Sequence, residues 1–439
     1  MIIDTYRPDP EGPDHIYKRW RDSEGALIEE HISDFKPYFW IKESTPPRVV
    51  NRILGRYPGS EIDWNDTAVA LRTDEKLVKV YAFRTSDIRQ MCHEFRVTWE
   101  GDFSLADRYL IDEIEEMPQW KPRVWHFDLE WDPKTDETTV MAVIDNYNNR
   151  NIAFCWQDND PKGLANKWET TEREVEYEVN EVPVKFTYER YEYGSEREMH
   201  QAFMNYMDEC NPDIFVAHAI MWADLPHLIR RLPEFRQLSP LNRVLRPPNK
   251  SDSKGYDYVA QPIIGRLCFD TAAPIRSGSG FERVWKDSGQ PQLKNRKLDT
   301  IAKACNMGGK FDMDVFTGWA ERFDDYVDYC MQDTILLKRI DEDNHVLNFF
   351  LSLQRLCGVR FSSCHNVTRF ARGLLSRRTH LKAPTKSNQE KREYEGAFIP
   401  PPSPGRYESV ACVDYKGLYP SLILSHNLCW TTQVKGDVR

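Results

Sequence analysis

Two acids on one face of a strand constrain this chain more than anything else in it. In Val124-Trp125-His126-Phe127-Asp128-Leu129-Glu130 successive side chains point to opposite faces, so Asp128 and Glu130 look one way while Phe127 and Leu129 enter a core behind them. Carboxylates beside a buried layer are costly unless metals or partners hold them. Two further acids join the set: Asp224, ahead of Leu-Pro-His-Leu, and Asp333, which stands four residues after Tyr329 and so shares a helix face with it. Removing a nucleotide from a DNA end requires an attacking hydroxide and relief of charge on the departing 3′-oxygen. Two cations about 3.5–4 Å apart supply both. Hard ions such as Mg²⁺ take oxygen ligands, and four carboxylates on three elements, with Tyr329 to orient the water, meet that need without histidine or cysteine. Each piece also has a plainer reading, as strand surface decoration, as a helix N-cap at Asp224, or as a solvated helix face at Tyr329 and Asp333.

With 439 residues the chain is too long for one core, and the usual domain size of roughly 100–200 residues predicts two or three domains. A net charge of -10 argues against coating nucleic acid by bulk charge while leaving a local groove open. The ten cysteines are scattered singly, which signals neither a zinc site nor a disulfide framework, so they are expected to be reduced and packed. The opening Met1-Ile2-Ile3-Asp4 is no signal-peptide pattern, and no apolar run approaches the roughly 18 residues that span a bilayer. The expectation is a cytoplasmic protein of a prokaryote or a virus-infected cell, not secreted and with no membrane partner.

Alternation in Phe35–Ile41 and Leu77–Phe83, with a helix near Ser86–Phe95, predicts one compact α+β unit over the first 110 or so residues. After Pro118 and Pro122 come the acidic strand, a second strand at Val140–Ile144 and a third at Asn151–Trp156, a meander with short turns. The glutamate-rich stretch Trp168–Arg197 predicts an exposed hairpin with a solvated face. Helical spacing returns in Glu196–Cys210, followed by a strand at Asp213–Ala217 and a helix over about Asp224–Arg231. Leu241–Gly255 reads as a loop. Asn344–Arg378 is helical and turns basic at Arg369, Arg372, Arg377 and Arg378; the Pro400–Gly405 loop then joins two strands, the second ending at Asp414.

Assembled in this order, Asp-x-Glu, Asp and Tyr-x-x-x-Asp resemble the DEDD nucleases of the tyrosine subtype, and the chain from about Phe35 onward resembles the amino-terminal part of a family B DNA polymerase. Phe35-Lys36-Pro37-Tyr38-Phe39 and Arg108-Tyr109-Leu110-Ile111-Asp112 are similar to its amino-terminal domain. Val124–Glu130, Asn211–Leu228 and Tyr329–Asp333 are similar to its three exonuclease motifs, and Gly265–Asp270 and Lys297-Leu298-Asp299 to strand and helix positions between the second and third. Tyr394-Glu395-Gly396-Ala397 resembles the Tyr-x-Gly joint between the nuclease and polymerase modules. Asp414-Tyr415-Lys416-Gly417-Leu418-Tyr419-Pro420-Ser421, continuing to Cys429, resembles the first palm motif. The resemblance implies an α/β and α+β multidomain fold, with an RNase H-like 3′-5′ exonuclease domain, an α+β amino-terminal domain and a partial palm. The implied divisions are 1–118, 119–344 and 385–439, with 345–384 packing back on the first. It implies two Mg²⁺ per active site, or Mn²⁺ in their place. Asp128 would touch both exonuclease metals, Glu130 and Asp333 the one that activates water, and Asp224 the second, with Tyr329 positioning the water. Asp414 would hold the cations that bind the incoming nucleotide. The Leu418 and Tyr419 backbone would meet its phosphates, and Tyr419 would stack beneath its sugar.

Two departures from the family stand out. The second exonuclease motif normally has an asparagine five residues before its acid and an aromatic just before it, where this chain has Ala219 and Ala223; a one-residue shift offers His218 and Trp222 instead. The expectation is a weaker or more selective grip on the substrate end, with His218, Ala219 and Trp222 as its contacts. A polymerase also needs a second palm aspartate and a basic fingers helix, and neither fits in the 18 residues after Ser421. The expected partners are therefore a DNA primer-template with a single-stranded 3′ end, a dNTP, and a second polymerase chain carrying the fingers, remaining palm and thumb, with a sliding clamp left open. The competing reading is a catalytically weakened DNA-binding scaffold subunit, holding DNA through the basic stretch Arg369–Arg392.

Overall fold

A computed structural model describes residues 1–71, 73–157, 169–245, 261–272, 280–379, 381–385, 398, 400–415 and 417–428. The joint at Tyr394–Ala397, Trp168, Lys416, Cys429 and most of the Leu241–Gly255 loop lie outside the described residues.

The first 110 residues divide between two sheets instead of forming one unit. β1 (Ile2–Tyr6), β2 (His15–Arg21) and β3 (Leu27–Ile32) make an antiparallel meander. β4 (Tyr38–Lys42), α1 (Pro47–Leu54), β5 (Glu61–Ala70), β6 (Lys76–Tyr81) and α2 (Thr85–Phe95) supply most of a four-stranded sheet, with Phe39, Ile41, Val78 and Val80 buried under the helices. α3 (Leu105–Asp112) follows, its N-cap Ser104 accepting from the Asp107 amide.

The central layer is a seven-stranded sheet. β7 (Val124–Trp131), β8 (Thr138–Asp145) and β9 (Arg150–Trp156) form the expected meander. Every residue of β8 is buried, as befits a strand covered on both faces. β10 (Glu169–Val179) and β11 (Val182–Tyr193) form the hairpin, but β11 pairs in parallel with β9 and Val175, Val184, Phe186 and Tyr188 are buried. The hairpin is therefore exposed on one face only. α4 (Glu196–Cys210) starts at an N-cap, Ser195, with glutamate three residues on, and ends at Asn211 in the left-handed region (φ 46°). β12 (Ile214–Ala217) then pairs in parallel with β7, α5 (Asp224–Arg231) follows, and β13 (Leu267–Asp270) closes the sheet in the order β10-β11-β9-β8-β7-β12-β13.

Short helices α6 (Gly280–Asp287), α7 (Leu298–Ala304) and α8 (Gly318–Glu321) lead to the 21-residue α9 (Phe323–Asp343). One sheet face packs Trp125, Phe127 and Leu129 in the cluster that holds α4 and α5; the other packs Val140, Ala142 and Ile144 against Tyr326, Val327 and Cys330 of α9. Asp128 and Glu130 thus face α9.

α10 (Val346–Cys357) and α11 (Val367–Arg378) return to the amino-terminal part. Arg360 clamps Asp107 (2.8 and 3.0 Å), Arg372 clamps Asp102 (2.7 and 2.6 Å), and β14 (Leu381–Lys382) adds to β5. Arg377 donates to the Gly358 carbonyl at 3.1 Å and to those of Ile114 and Glu115. Two arginines of the basic stretch, Arg372 and Arg377, are thus engaged inside the protein.

The strands expected on either side of Pro400–Gly405 are not formed among the described residues. Val410–Asp414 is exposed and forms no strand. α12 (Leu418–Ser425) follows, with no buried residue. Of the nine described cysteines all are free, and only Cys412 is exposed. Among the described residues no helix is long and apolar enough to cross a membrane.

Candidate active site

The acids converge at the carboxyl ends of the parallel strands, where open α/β sheets place their ligands. Asp128, Glu130 and Asp333 each present a carboxylate oxygen, all within 4.8 Å of one another. Asp224, at the first turn of α5, is buried and close enough for its charge to act on Asp128. Tyr329 and Asp333 are successive turns of α9, and Cys330 Sγ lies 3.7 Å from the Asp128 carbonyl oxygen, which seats the helix on the strand.

Burial, then the neighbouring acids, holds the Asp128 carboxyl well above the usual carboxylate range. Burial foremost likewise pushes Glu130 up to about 8, Asp224 to about 7 and Asp333 to about 6. Asp224 Oδ2 and Asp333 Oδ1 are buried and accept no hydrogen bond. Orphaned buried carboxylate oxygens in a crowd of like charge are what hard divalent cations require. The donor set fits Mg²⁺ or Mn²⁺.

One residue here escaped the sequence reading. Lys310 pairs with Asp333 Oδ2, and its ammonium sits 4.7 Å from the centre of the Tyr329 ring. Burial works against this ammonium, but Asp333, Tyr329 and Asp128 outweigh it and hold its pKa above the ordinary value. The signal was Gly308-Gly309 just before it. Both glycines have positive φ (80° and 111°), and a Cβ would lie 2.6 Å from the Val179 carbonyl oxygen at the first and 2.5 Å from Asp299 Oδ1 at the second. Gln332, next to Asp333, grips this loop by donating to the Gly309 carbonyl (2.9 Å) and accepting from the Phe311 amide (2.8 Å).

The residues expected to meet the substrate end are placed less simply. Burial lowers the His218 pKa to about 4, and the neutral ring is bonded at both nitrogens, to Thr271 Oγ1 (3.1 Å) and the Arg296 carbonyl (2.7 Å). Neither nitrogen is left for a ligand. Trp222 is half-buried against the core, and Ala219 stands at φ 62° with its N–H on Asp270. Asp414, Leu418 and Tyr419 are exposed, and the acid group that could hold an ion among the described residues does not include Asp414.

The family model for DNA polymerase family B matches residues 334–439. A solved family B DNA polymerase from the archaeon Pyrobaculum calidifontis superimposes with a TM-score of 0.62 at 16% identity, over 90% of this chain and 52% of its own. The chain is thus similar to DNA polymerase family B. Among curated relatives, the DNA polymerase of Pyrococcus glycovorans is 24% identical over 98% of this chain and 54% of its own length. The DNA polymerase catalytic subunit of Saimiriine herpesvirus 2 is 27% identical over 56% of this chain and 25% of its own. The chain therefore spans from a quarter to about half of these relatives.

Proposed function

We propose that this chain is the exonuclease-bearing part of a family B DNA-directed DNA polymerase, hydrolysing DNA from the 3′ end to remove mispaired nucleotides. The observation that carries the reading is the convergence of Asp128, Glu130 and Asp333 within 4.8 Å, with Asp224 beside them and two carboxylate oxygens left without donors. Two divalent cations, when bound, would supply the charge that favours attack by water and stabilises the departing 3′-oxygen. Asp128, Glu130, Asp224 and Asp333 would hold them. Tyr329, one turn before Asp333, would orient the water, and Lys310 would offset negative charge on the phosphodiester. Residues 1–118 with 345–384, 119–344 and 385–439 are the proposed domains. Synthesis would require Asp414, Leu418 and Tyr419 to be completed by fingers, the rest of a palm and a thumb, on further chain or on a partner.

The test is digestion of a 3′-mismatched primer-template in Mg²⁺. Asp128→Ala with Glu130→Ala should cut the rate by on the order of 10³-fold; unchanged digestion by this double variant would sink the assignment. The locked ring of His218, with alanine at 219 and 223, favours a second reading, a weakened nuclease that acts mainly as a DNA-holding scaffold. Salt-sensitive DNA binding by the unaltered chain without metal-dependent turnover would put that reading first.

A further inference from the structure

The turn that delivers Asp224 begins at Ala219, whose φ of 62° places a residue with a Cβ in the left-handed region. Something must hold it there. The Ala219 N–H donates to Asp270 Oδ1 (3.0 Å), and the same oxygen accepts the Ala272 N–H (2.9 Å). The Ala219 carbonyl accepts from Trp222 (2.9 Å) and Ala223 (3.1 Å), and that of Ile220 accepts from Leu225 (3.0 Å). The hydrogen bonds therefore run unbroken from Asp270 through Ala219 into the first turn of α5, where Asp224 stands. Asp270 ends β13, the strand beside β12, and is only 1% exposed. A further carboxylate beside the acid cluster is expensive for packing alone; its geometry gives it a different use.

We propose that Asp270 is a positioning residue for the metal site: by anchoring the Ala219 backbone in the left-handed conformation it fixes where Asp224 stands. The inference rests on the nuclease reading above. Residues that orient a ligand from behind typically cost 10–100-fold in metal affinity when removed. Because both bonds fall on one oxygen, an asparagine at 270 can still accept both, whereas alanine can accept neither.

The experiment is a Mn²⁺ titration of the whole chain, followed by electron paramagnetic resonance, for the wild type, Asp270→Ala and Asp270→Asn. Mg²⁺-dependent primer digestion is measured in parallel at a temperature below every melting midpoint. Asp270→Ala should weaken Mn²⁺ binding at least about tenfold and raise the Mg²⁺ needed for half-maximal digestion by a similar factor. Asp270→Asn should stay within about threefold of wild type. If Asp270→Ala does not fold, Asp270→Ser, whose hydroxyl is too short to reach Ala219, takes its place with the same expectation. Wild-type affinity in the alanine or serine variant would overturn the proposal, and so would an asparagine variant as weak as alanine, since that would assign the effect to charge. A wild-type chain that bound no Mn²⁺ would instead bring down the nuclease reading and this inference with it, an outcome told apart because in the other two the wild type binds.

Discussion

β12 has a buried carboxylate before its first residue and another after the turn at its far end, and the two are treated in opposite ways. Asp213 is wholly buried and saturated: Arg19 donates from Nε and Nη2 (3.1 and 3.0 Å), Arg21 from Nε (2.7 Å) and the Arg123 backbone N–H at 2.9 Å. Arg19 and Arg21 come from β2, so Asp213 fastens the amino-terminal meander to the seven-stranded sheet. Asp224 and its neighbours at the other end bring together four carboxyl groups and, among the described residues, Lys310 as the cation in contact with Asp333. The same chemical group therefore serves as a structural fastener where its donors are built in, and as a latent ligand where they are withheld. Burial alone does not tell the two uses apart; the count of donors does.

The largest effect that would test this contrast is Asp213→Ala. It would strand Arg19 and Arg21, which are 1% and 4% exposed, and should cost about 3–5 kcal/mol, read as a fall in the urea midpoint. A loss below about 1 kcal/mol would mean that the pair is not the fastener described here.

A middle-sized effect should appear in pH dependence. Glu130, Asp224 and Asp333 have folded pKa values of about 8, 7 and 6 against ordinary values of 4.5, 3.8 and 3.8. Between those limits the folded chain holds more protons than the unfolded one, so stability from these groups is full below about pH 4 and is lost as pH rises to about 8. Metal-free protein should therefore melt lower at pH 8 than at pH 6, and Mg²⁺ should raise the midpoint more at pH 8. An Mg²⁺ effect independent of pH would break the contrast, because it would place the ion away from these acids.

The smallest effect is expected from Lys310→Met. Removing the ammonium from Asp333 should lower metal-free stability by roughly 1–2 kcal/mol at pH 8, and Mg²⁺ should restore most of it. No change in the metal-free melting curve would show that Lys310 does not carry the counter-charge.

The sequence made visible what local periodicity can encode. The meander from β7 to β9, α4 and α5 all follow from alternation or 3.6-residue spacing, and Asp224 is legible because it opens a helix. Tyr329 and Asp333 share a face of α9 for the same reason. The hidden face of the β10–β11 hairpin was not legible, because the helix that covers it lies far downstream and β11 joins β9 in parallel, a pairing no local pattern announces. Lys310, in the loop after α7, and Asp270, at the end of β13, were missed because each is a single side chain that no period marks. Asp213 reads in sequence only as the start of a strand, since Arg19 and Arg21, which hold it, are almost two hundred residues upstream.

The bond between His126 Nε2 and Asp341 Oδ2, 2.9 Å long and joining residues 215 positions apart, carries a consequence for biosynthesis. β7 leaves the ribosome long before α9, and at roughly 5–20 residues per second the interval is about 10–40 s. During that time Asp128 and Glu130 exist without Asp333, so the acid cluster is assembled only when α9 arrives, late in translation of the residues seen here.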